Sequence, residues 1–296
     1  MRYALGELIS AMVTPFNEDL TVDYNSFKKL IEHLITTGSD ALLATGTTGE
    51  TPTLTHEEEF KIFDFVKKEV NGRVKLIMGT GSNSTQTAVN SSVNAQKAGA
   101  DAILTVVPYY NKPSQKGMIA HFSAIAKSVD IPIILYNIPS RTGVDMSPDT
   151  ISKLAGKFKN IVAVKQSNPN LDLITEIKKS VPDDFSIYSG DDSLTLPMLS
   201  LGATGVISVA SHIAGKEMKQ MLNLFKTGKI KEALEIHLKL YPLFKKLFMA
   251  PNPVPVKAAL SYFGIIKDYV RMPLVTLDEQ EKSELISVIK NYKCLV

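Results

Sequence analysis

The chain of 296 residues has a single cysteine, Cys294, near its carboxyl end. One thiol excludes a disulfide framework and a cysteine-based zinc site. The five histidines, His33, His56, His121, His212 and His237, show no paired metal-ligand spacing. Neither a metal site nor any cofactor is therefore expected. Charge of one sign is also scarce: 33 Lys and Arg against 30 Asp and Glu leave a net +3, with the lysines scattered along the chain. That distribution makes no case for nucleic acid, and no stripe of interleaved aromatic and basic residues suggests single-strand binding. No uninterrupted apolar stretch is long enough to span a bilayer. The amino terminus lacks a basic segment followed by an apolar one. The expectation is a soluble, cytoplasmic protein with no membrane partner.

What is present suits a large globular core. The chain is 44% hydrophobic and 21% charged, ordinary values for a soluble domain. Its length fits one large domain or two small ones, and α/β barrels reach this size as single domains. Short β-branched apolar runs recur near 7–13, 40–45, 74–78, 101–107, 131–136, 161–165, 185–189 and 205–209. Most are apolar at consecutive positions, as parallel strands buried on both faces should be. Helical patterns lie between them, for example Tyr24 to Ile35, Glu57 to Val70 and Ile174 to Lys179. Ser147-Pro148 and Thr55-His56-Glu57-Glu58 carry helix-start signals, and Gly99 and Gly202 mark returns from helix to strand.

Eight such units predict a (β/α)8 TIM barrel over residues 1–226, with a C-terminal helical appendage over 227–296. A doubly wound open sheet is the runner-up, but Val13-Thr14-Pro15-Phe16 follows the first strand where a glycine-rich phosphate turn would be needed. The appendage reads as Ile230 to Phe248, a helix after Pro255, and Asp278 to Lys290, with Pro251, Pro253 and Pro255 at the first joint. Its expected role is packing or oligomer formation.

Parallel barrels carry their chemistry where strands end and feed their helices. Strand six ends on Lys165 and strand five on Tyr136. A buried lysine amine loses part of its preference for the charged form and becomes a nucleophile toward a ketone; a lysine that snorkels from the strand end into water is the plainer alternative. Strand two runs into Gly46-Thr47-Thr48-Gly49-Glu50, where two hydroxyls can bind a carboxylate or pass a proton. Strand four ends in Pro108-Tyr109-Tyr110, Arg141 follows strand five with a fork suited to a carboxylate, and strands seven and eight end at Gly190-Asp191-Asp192 and Ile207-Ser208. Asp191 and Asp192 read first as a helix cap. Gly79-Thr80-Gly81-Ser82-Asn83 lacks the Lys-Ser/Thr of a phosphate cradle and reads as a plain loop.

At these residues the chain resembles the dihydrodipicolinate synthase family, within the pyruvate-dependent aldolases that include N-acetylneuraminate lyase. The resemblance covers essentially the whole chain. It rests on Gly-Thr-Thr-Gly-Glu at 46–50, Pro-Tyr-Tyr-Asn-Lys-Pro at 108–113, Tyr-Asn-Ile-Pro-Ser-Arg-Thr-Gly at 136–143, Ser-Gly-Asp-Asp at 189–192 and the run Pro251 to Lys257. It implies that Lys165 forms an imine with pyruvate. Tyr136, Thr47 and Tyr110 would relay protons, with Tyr110 reaching into a neighbouring subunit's site. Thr48 would hold the pyruvate carboxylate, Arg141 that of the second substrate, and backbone groups at Gly190 and Ile207 would line the pocket. The implied reaction condenses pyruvate with L-aspartate 4-semialdehyde to 4-hydroxy-tetrahydrodipicolinate, the entry to lysine and diaminopimelate synthesis. The implied assembly is a homo-oligomer, a tetramer ahead of a dimer.

The chain departs from the family pattern in two respects. Gln166 stands where an acidic residue is expected, and such a Gln is similar to the sialic acid lyases. Regulated members carry a His and a Glu where this chain has Glu59 and Thr87, although His56, Asn83 and Tyr109 match, so lysine inhibition is expected to be weak or absent. The alternatives are another 2-keto acid aldolase or lyase, such as N-acetylneuraminate lyase or 2-keto-3-deoxy-gluconate aldolase, a keto-acid sensor without turnover, and a metal-dependent aldolase.

Overall fold

The computed structural model describes residues 4–292, so Cys294 lies outside the described residues. Eight parallel strands hydrogen-bond in chain order into a closed barrel. They are β1 (Leu8–Ala11), β2 (Ala41–Ala44), β3 (Lys75–Gly79), β4 (Ala102–Val106), β5 (Ile133–Asn137), β6 (Ile161–Gln166), β7 (Ser186–Ser189) and β8 (Gly205–Ser208). Each coincides with one of the apolar runs. Every residue of β5 and β6 is buried, which explains the absence of polar alternation: one face lines the barrel and the other meets the helices. Beyond the barrel the chain ends in helices, as expected.

By compactness the chain divides into two units. The first comprises the residues up to Glu7 with Leu76–Ile207, and it holds β4 to β7 with the helices that lie between β3 and β8. These helices are α3 (Thr85–Ala98), α4 (Gln115–Ser128), the short α5 (Pro139–Thr142), α6 (Pro148–Lys157), α7 (Leu171–Ser180) and α8 (Thr195–Ser200). Serine caps recur because a hydroxyl satisfies an orphan amide of the first turn: Ser84, Ser114 and Ser147 accept from Thr87, Gly117 and Thr150. Gly99 ends α3 at φ 82°, where a side chain would be strained. Gly205 opens β8 because a Cβ there would lie 2.0 Å from the Glu7 carbonyl oxygen. The 79–83 run is the plain loop expected of it: a Cβ on Gly81 would come within 2.3 Å of the Val106 amide, so the glycine lets the loop lie on β4.

The second unit comprises Leu8–Lys75 and the chain from Ser208 onward. It holds β1 and β2 together with α1 (Tyr24–Thr36), α2 (His56–Val70), α9 (Ser211–Lys226), α10 (Ile230–Lys246), α11 (Val254–Tyr262) and α12 (Glu279–Ile289). The capping box at α2 is present in both directions: Glu58 N donates to Thr55 Oγ1 at 3.1 Å and Thr55 N to Glu58 Oε2 at 2.9 Å. α11 begins at Val254, ahead of the expected start after Pro255. Pro255 fits inside its first turn because the missing N–H has no intrahelical acceptor there. His212, fully buried on α9, accepts from Val13 N through Nε2 at 3.3 Å and donates from Nδ1 to Val209 O at 2.9 Å. Burial pushes its pKa down to about 4, so the neutral ring braces the end of β1.

Candidate active site

In the first unit the register of the sheet sets the chemistry. Tyr136 pairs with Lys165 across β5 and β6, and the next pair is Asn137 with Gln166. Neighbouring residues on a strand face opposite sides of the sheet. Lys165 and Tyr136 therefore share one face, while Asn137 and Gln166 share the other. Lys165 is 6% exposed and Tyr136 5%. The lysine amine lies 4.4 Å from the centroid of the Tyr136 ring. The amine does not snorkel into water; it is buried against the face of the Tyr136 ring.

On the opposite face a polar brace ties the same two strands. Asn137 Nδ2 donates to Gln166 Oε1 at 2.9 Å and to Asp145 Oδ1 at 2.5 Å, and Asn137 Oδ1 accepts from Met146 N at 3.0 Å. Asn168 Nδ2 donates to the second Asp145 oxygen at 2.8 Å. Gln166 thus departs from the family pattern in this outer brace, on the side of β6 away from Lys165.

Gly190 follows β7 and crowds Lys165. A Cβ at this position would stand 3.0 Å from Lys165 Cε and 1.9 Å from Ser167 Oγ. Gly190 N donates to Gln166 O at 2.9 Å. Glycine permits this approach, which gives Gly190 a steric duty toward the lysine. Asp191 caps the turn after it, its Oδ1 accepting from Ser193 N at 2.8 Å, as the cap reading expects. Ile207 is buried on β8. Arg141 sits on α5 with its side chain exposed. Tyr110 is 88% exposed with φ 70°, and Lys112 is also left-handed at φ 45°, so this loop projects its tyrosine outward.

In the second unit the turn after β2 holds Thr47 and Thr48 in one 3-10 turn (Thr47–Gly49), followed by another (Thr51–Thr53). Thr48 is buried, and its Oγ1 accepts from Asn252 Nδ2 at 2.9 Å. Glu50 is buried against the equally buried Lys257, with Nζ 2.7 Å from Oε1. Lys257 Nζ also donates to Thr14 O at 2.8 Å and lies 4.2 Å from the Phe16 ring centroid. Arg271 covers Phe16 as well, at 4.6 Å, and forks onto Glu58 at 2.6 and 2.8 Å. Burial pushes Lys257 down to about 8, against the pull of Glu50. Arg271 holds Glu58 down at about 2.

The structure brings Lys165, Tyr136 and Gly190 together and places Thr47 and Thr48 on a single turn. It leaves Tyr110 and Arg141 at the surface. The sequence reading did not single out Asn252 and Lys257, which the structure sets against Thr48 and Glu50. Their signal was a lone asparagine and a lone lysine in the apolar, proline-rich run from Pro251 to Leu260. Among the described residues no three His, Cys, Asp or Glu side chains converge as metal ligands. No helix among them is long and apolar enough to cross a membrane.

Comparison with known proteins gives one consistent answer. A model of the dihydrodipicolinate synthetase family matches residues 4–292. The 4-hydroxy-tetrahydrodipicolinate synthase of Bacillus subtilis (strain 168) is 49% identical, over 96% of this chain and 98% of that protein. The crystal structure of dihydrodipicolinate synthase from Aquifex aeolicus superposes with a TM-score of 0.94 at 49% identity, covering 96% of this chain and 97% of that one. A DHDPS from Cyanidioschyzon merolae, solved with lysine bound, gives 0.95 at 44% identity over 97% and 98%.

Proposed function

Because the chain belongs to the dihydrodipicolinate synthetase family, we propose that the buried Lys165–Tyr136 pair is its catalytic centre and that its substrates are pyruvate and L-aspartate 4-semialdehyde. The protein is a lyase that joins these two through a lysine Schiff base to give 4-hydroxy-tetrahydrodipicolinate. The single observation carrying the site assignment is the lysine amine held 4.4 Å from the Tyr136 ring at one register position of adjacent buried strands.

The steps follow from the chemistry of that amine. Neutral Lys165 Nζ adds to C2 of pyruvate, and loss of water gives the imine. The protonated imine nitrogen withdraws electrons, so the methyl carbon gives up a proton and an enamine forms. The enamine carbon attacks the aldehyde carbon of the semialdehyde, and the new alkoxide takes a proton. The amino group of the semialdehyde then adds to C2, closing the ring and releasing Lys165 as the free amine. Tyr136 shuttles protons to and from these centres. A relay through the Thr47 and Tyr110 hydroxyls lets protons move without full charge on one oxygen.

The remaining roles belong to the same proposal. Thr48 binds the pyruvate carboxylate, Arg141 binds the carboxylate of the semialdehyde, and Gly190 and Ile207 contribute backbone to the pocket. The exposure of Tyr110 supports an oligomer in which a partner's pocket receives its ring, a tetramer ahead of a dimer. The proposal keeps a catalytic barrel over 1–226, a helical region over 227–296 and a cytoplasmic location. Pyruvate with borohydride tests the centre: a permanent mass addition at Lys165, absent in Lys165→Ala, is the expected result. An unaltered mass in the parent chain refutes the assignment. Turnover of sialic acid or 2-keto-3-deoxy-gluconate in preference to condensation with aspartate semialdehyde would refute the substrate assignment.

A further inference from the structure

Glu50 is a non-glycine residue in the left-handed region, at φ 57° and ψ 32°. It ends the 3-10 turn that carries Thr47 and Thr48 and begins the next one. Such a conformation costs a side-chain-bearing residue energy and persists where surrounding contacts over-determine it. Those contacts come from far along the chain. Oε1 accepts from Lys257 Nζ at 2.7 Å and Oε2 from Arg271 N at 2.9 Å. The same lysine amine donates to Thr14 O at 2.8 Å, so one cation joins the exit of β1 to the turn after β2. Thr14 Oγ1 in turn donates to Gly49 O at 2.7 Å, and a Cβ on Gly49 would meet Met12 O and Thr14 Oγ1 at 3.3 Å.

We propose that the buried Glu50–Lys257 ion pair is a positioning element for the Thr47–Thr48 turn, through which the C-terminal helical region sets the affinity for the keto-acid carboxylate. This rests on the reading of Thr48 as the residue that holds that carboxylate. A buried ion pair is seldom the most stabilising filling for its space, since apolar residues of similar volume are often as good. Here the pair does something an apolar filling cannot. The lysine offers several donors from one point to acceptors on separate segments, and the carboxylate answers two donors while its own backbone stays left-handed. Asn252 Nδ2 donates to Thr48 Oγ1 at 2.9 Å, which leaves the hydroxyl proton of Thr48 to be given to a carboxylate.

The test uses the full-length protein and three variants: Glu50→Gln, Lys257→Met and the double variant. Initial rates with both substrates varied, together with pyruvate–borohydride trapping, separate binding from chemistry. Loss of positioning raises KM for pyruvate about tenfold in Lys257→Met, with KM for the semialdehyde changed less than about twofold. Glu50→Gln keeps the side chain's shape and one acceptor oxygen, which serves Lys257 Nζ or Arg271 N but not both, so its rise is smaller, about threefold. The double variant resembles Lys257→Met. Variants that melt earlier yet keep the parent KM for pyruvate overturn the proposal and leave the pair a stability element alone. If Lys257→Met does not fold, Glu50→Gln decides by the same criterion. A parent chain that fails to trap pyruvate at all overturns the functional reading instead.

Discussion

Replacing Gly190 by alanine puts a single methyl group between the β7 turn and Lys165. Its carbon would lie 1.9 Å from Ser167 Oγ, 3.1 Å from Ser167 Cβ and 3.0 Å from Lys165 Cε. The shortest contact is the cheapest to relieve. Ser167 Oγ is buried without a hydrogen-bond partner, so rotating it away breaks no bond. The contact with Lys165 Cε decides the outcome. Carbon atoms sit comfortably at about 3.5–4.0 Å, so this carbon must retreat by at least about 0.5 Å. The amine is bonded to it and moves as well, off its place 4.4 Å from the Tyr136 ring. Overpacking of this kind costs about 1–3 kcal/mol of stability. Displacing a nucleophile by a fraction of an ångström to an ångström costs up to about a hundredfold in rate. We expect Gly190→Ala to fold, to melt several degrees lower, and to trap pyruvate about 10–100 times more slowly. Gly156→Ala is the control: nothing lies within 4 Å of a Cβ at that helical glycine. It should gain about 0.5–1 kcal/mol and leave trapping unchanged. Thermal melting and the rate of mass addition with borohydride measure both. Trapping by Gly190→Ala at the parent rate would refute the steric argument.

Tyr136→Phe keeps the aromatic face beside Lys165 and removes the hydroxyl; imine trapping should persist while turnover falls about 10²–10⁴-fold, and a parent-like kcat would eliminate Tyr136 from proton transfer. Acid should destabilise the protein in two windows. Burial holds His121 and His212 at about 4, below their ordinary 6.5, so as pH falls from 6.5 to 4 the unfolded chain takes up protons that the folded one refuses, and stability drops by at most about 3 kcal/mol per histidine. Hydrogen bonds from Arg271 depress Glu58 to about 2 from its ordinary 4.5; its contribution is complete above 4.5 and is lost as pH falls toward 2, about 1–2 kcal/mol after screening of a partly exposed pair. Melting temperature measured from pH 7 to pH 3 checks both, and a flat profile contradicts them. Lysine should inhibit weakly or not at all: Glu59 is buried with His56 Nδ1 3.1 Å away, and Thr87, in the first turn of α3, offers no carboxylate for the effector's ammonium groups. Half-inhibition by lysine at millimolar or lower concentration and neutral pH would refute this.

The barrel and its central pair were legible because they are local. Each strand is a consecutive apolar run, and Lys165 and Tyr136 interrupt two of those runs at their carboxyl ends, where polarity has no structural excuse. The capping box at Thr55 and the cap at Ser147 are equally local, a matter of residues three apart. Gln166 shows where such reading stops. Its likeness to the sialic acid lyases bears on substrate choice, but no run of sequence says that the pleat turns its side chain to the face opposite Lys165, into a hydrogen bond with Asn137.

The sequence alone thus determined the strand–helix alternation, the closed parallel barrel, and the amine and phenol at neighbouring strand ends, because periodicity and burial act over a few residues at a time. Tertiary structure alone decided which groups clasp the Thr47–Thr48 turn. Glu50 and Lys257 are 207 positions apart, and Thr48 and Asn252 are 204. An ion pair buried in apolar surroundings leaves no periodic trace in either segment. Only folding brings the two charges to 2.7 Å and makes each the solvation of the other.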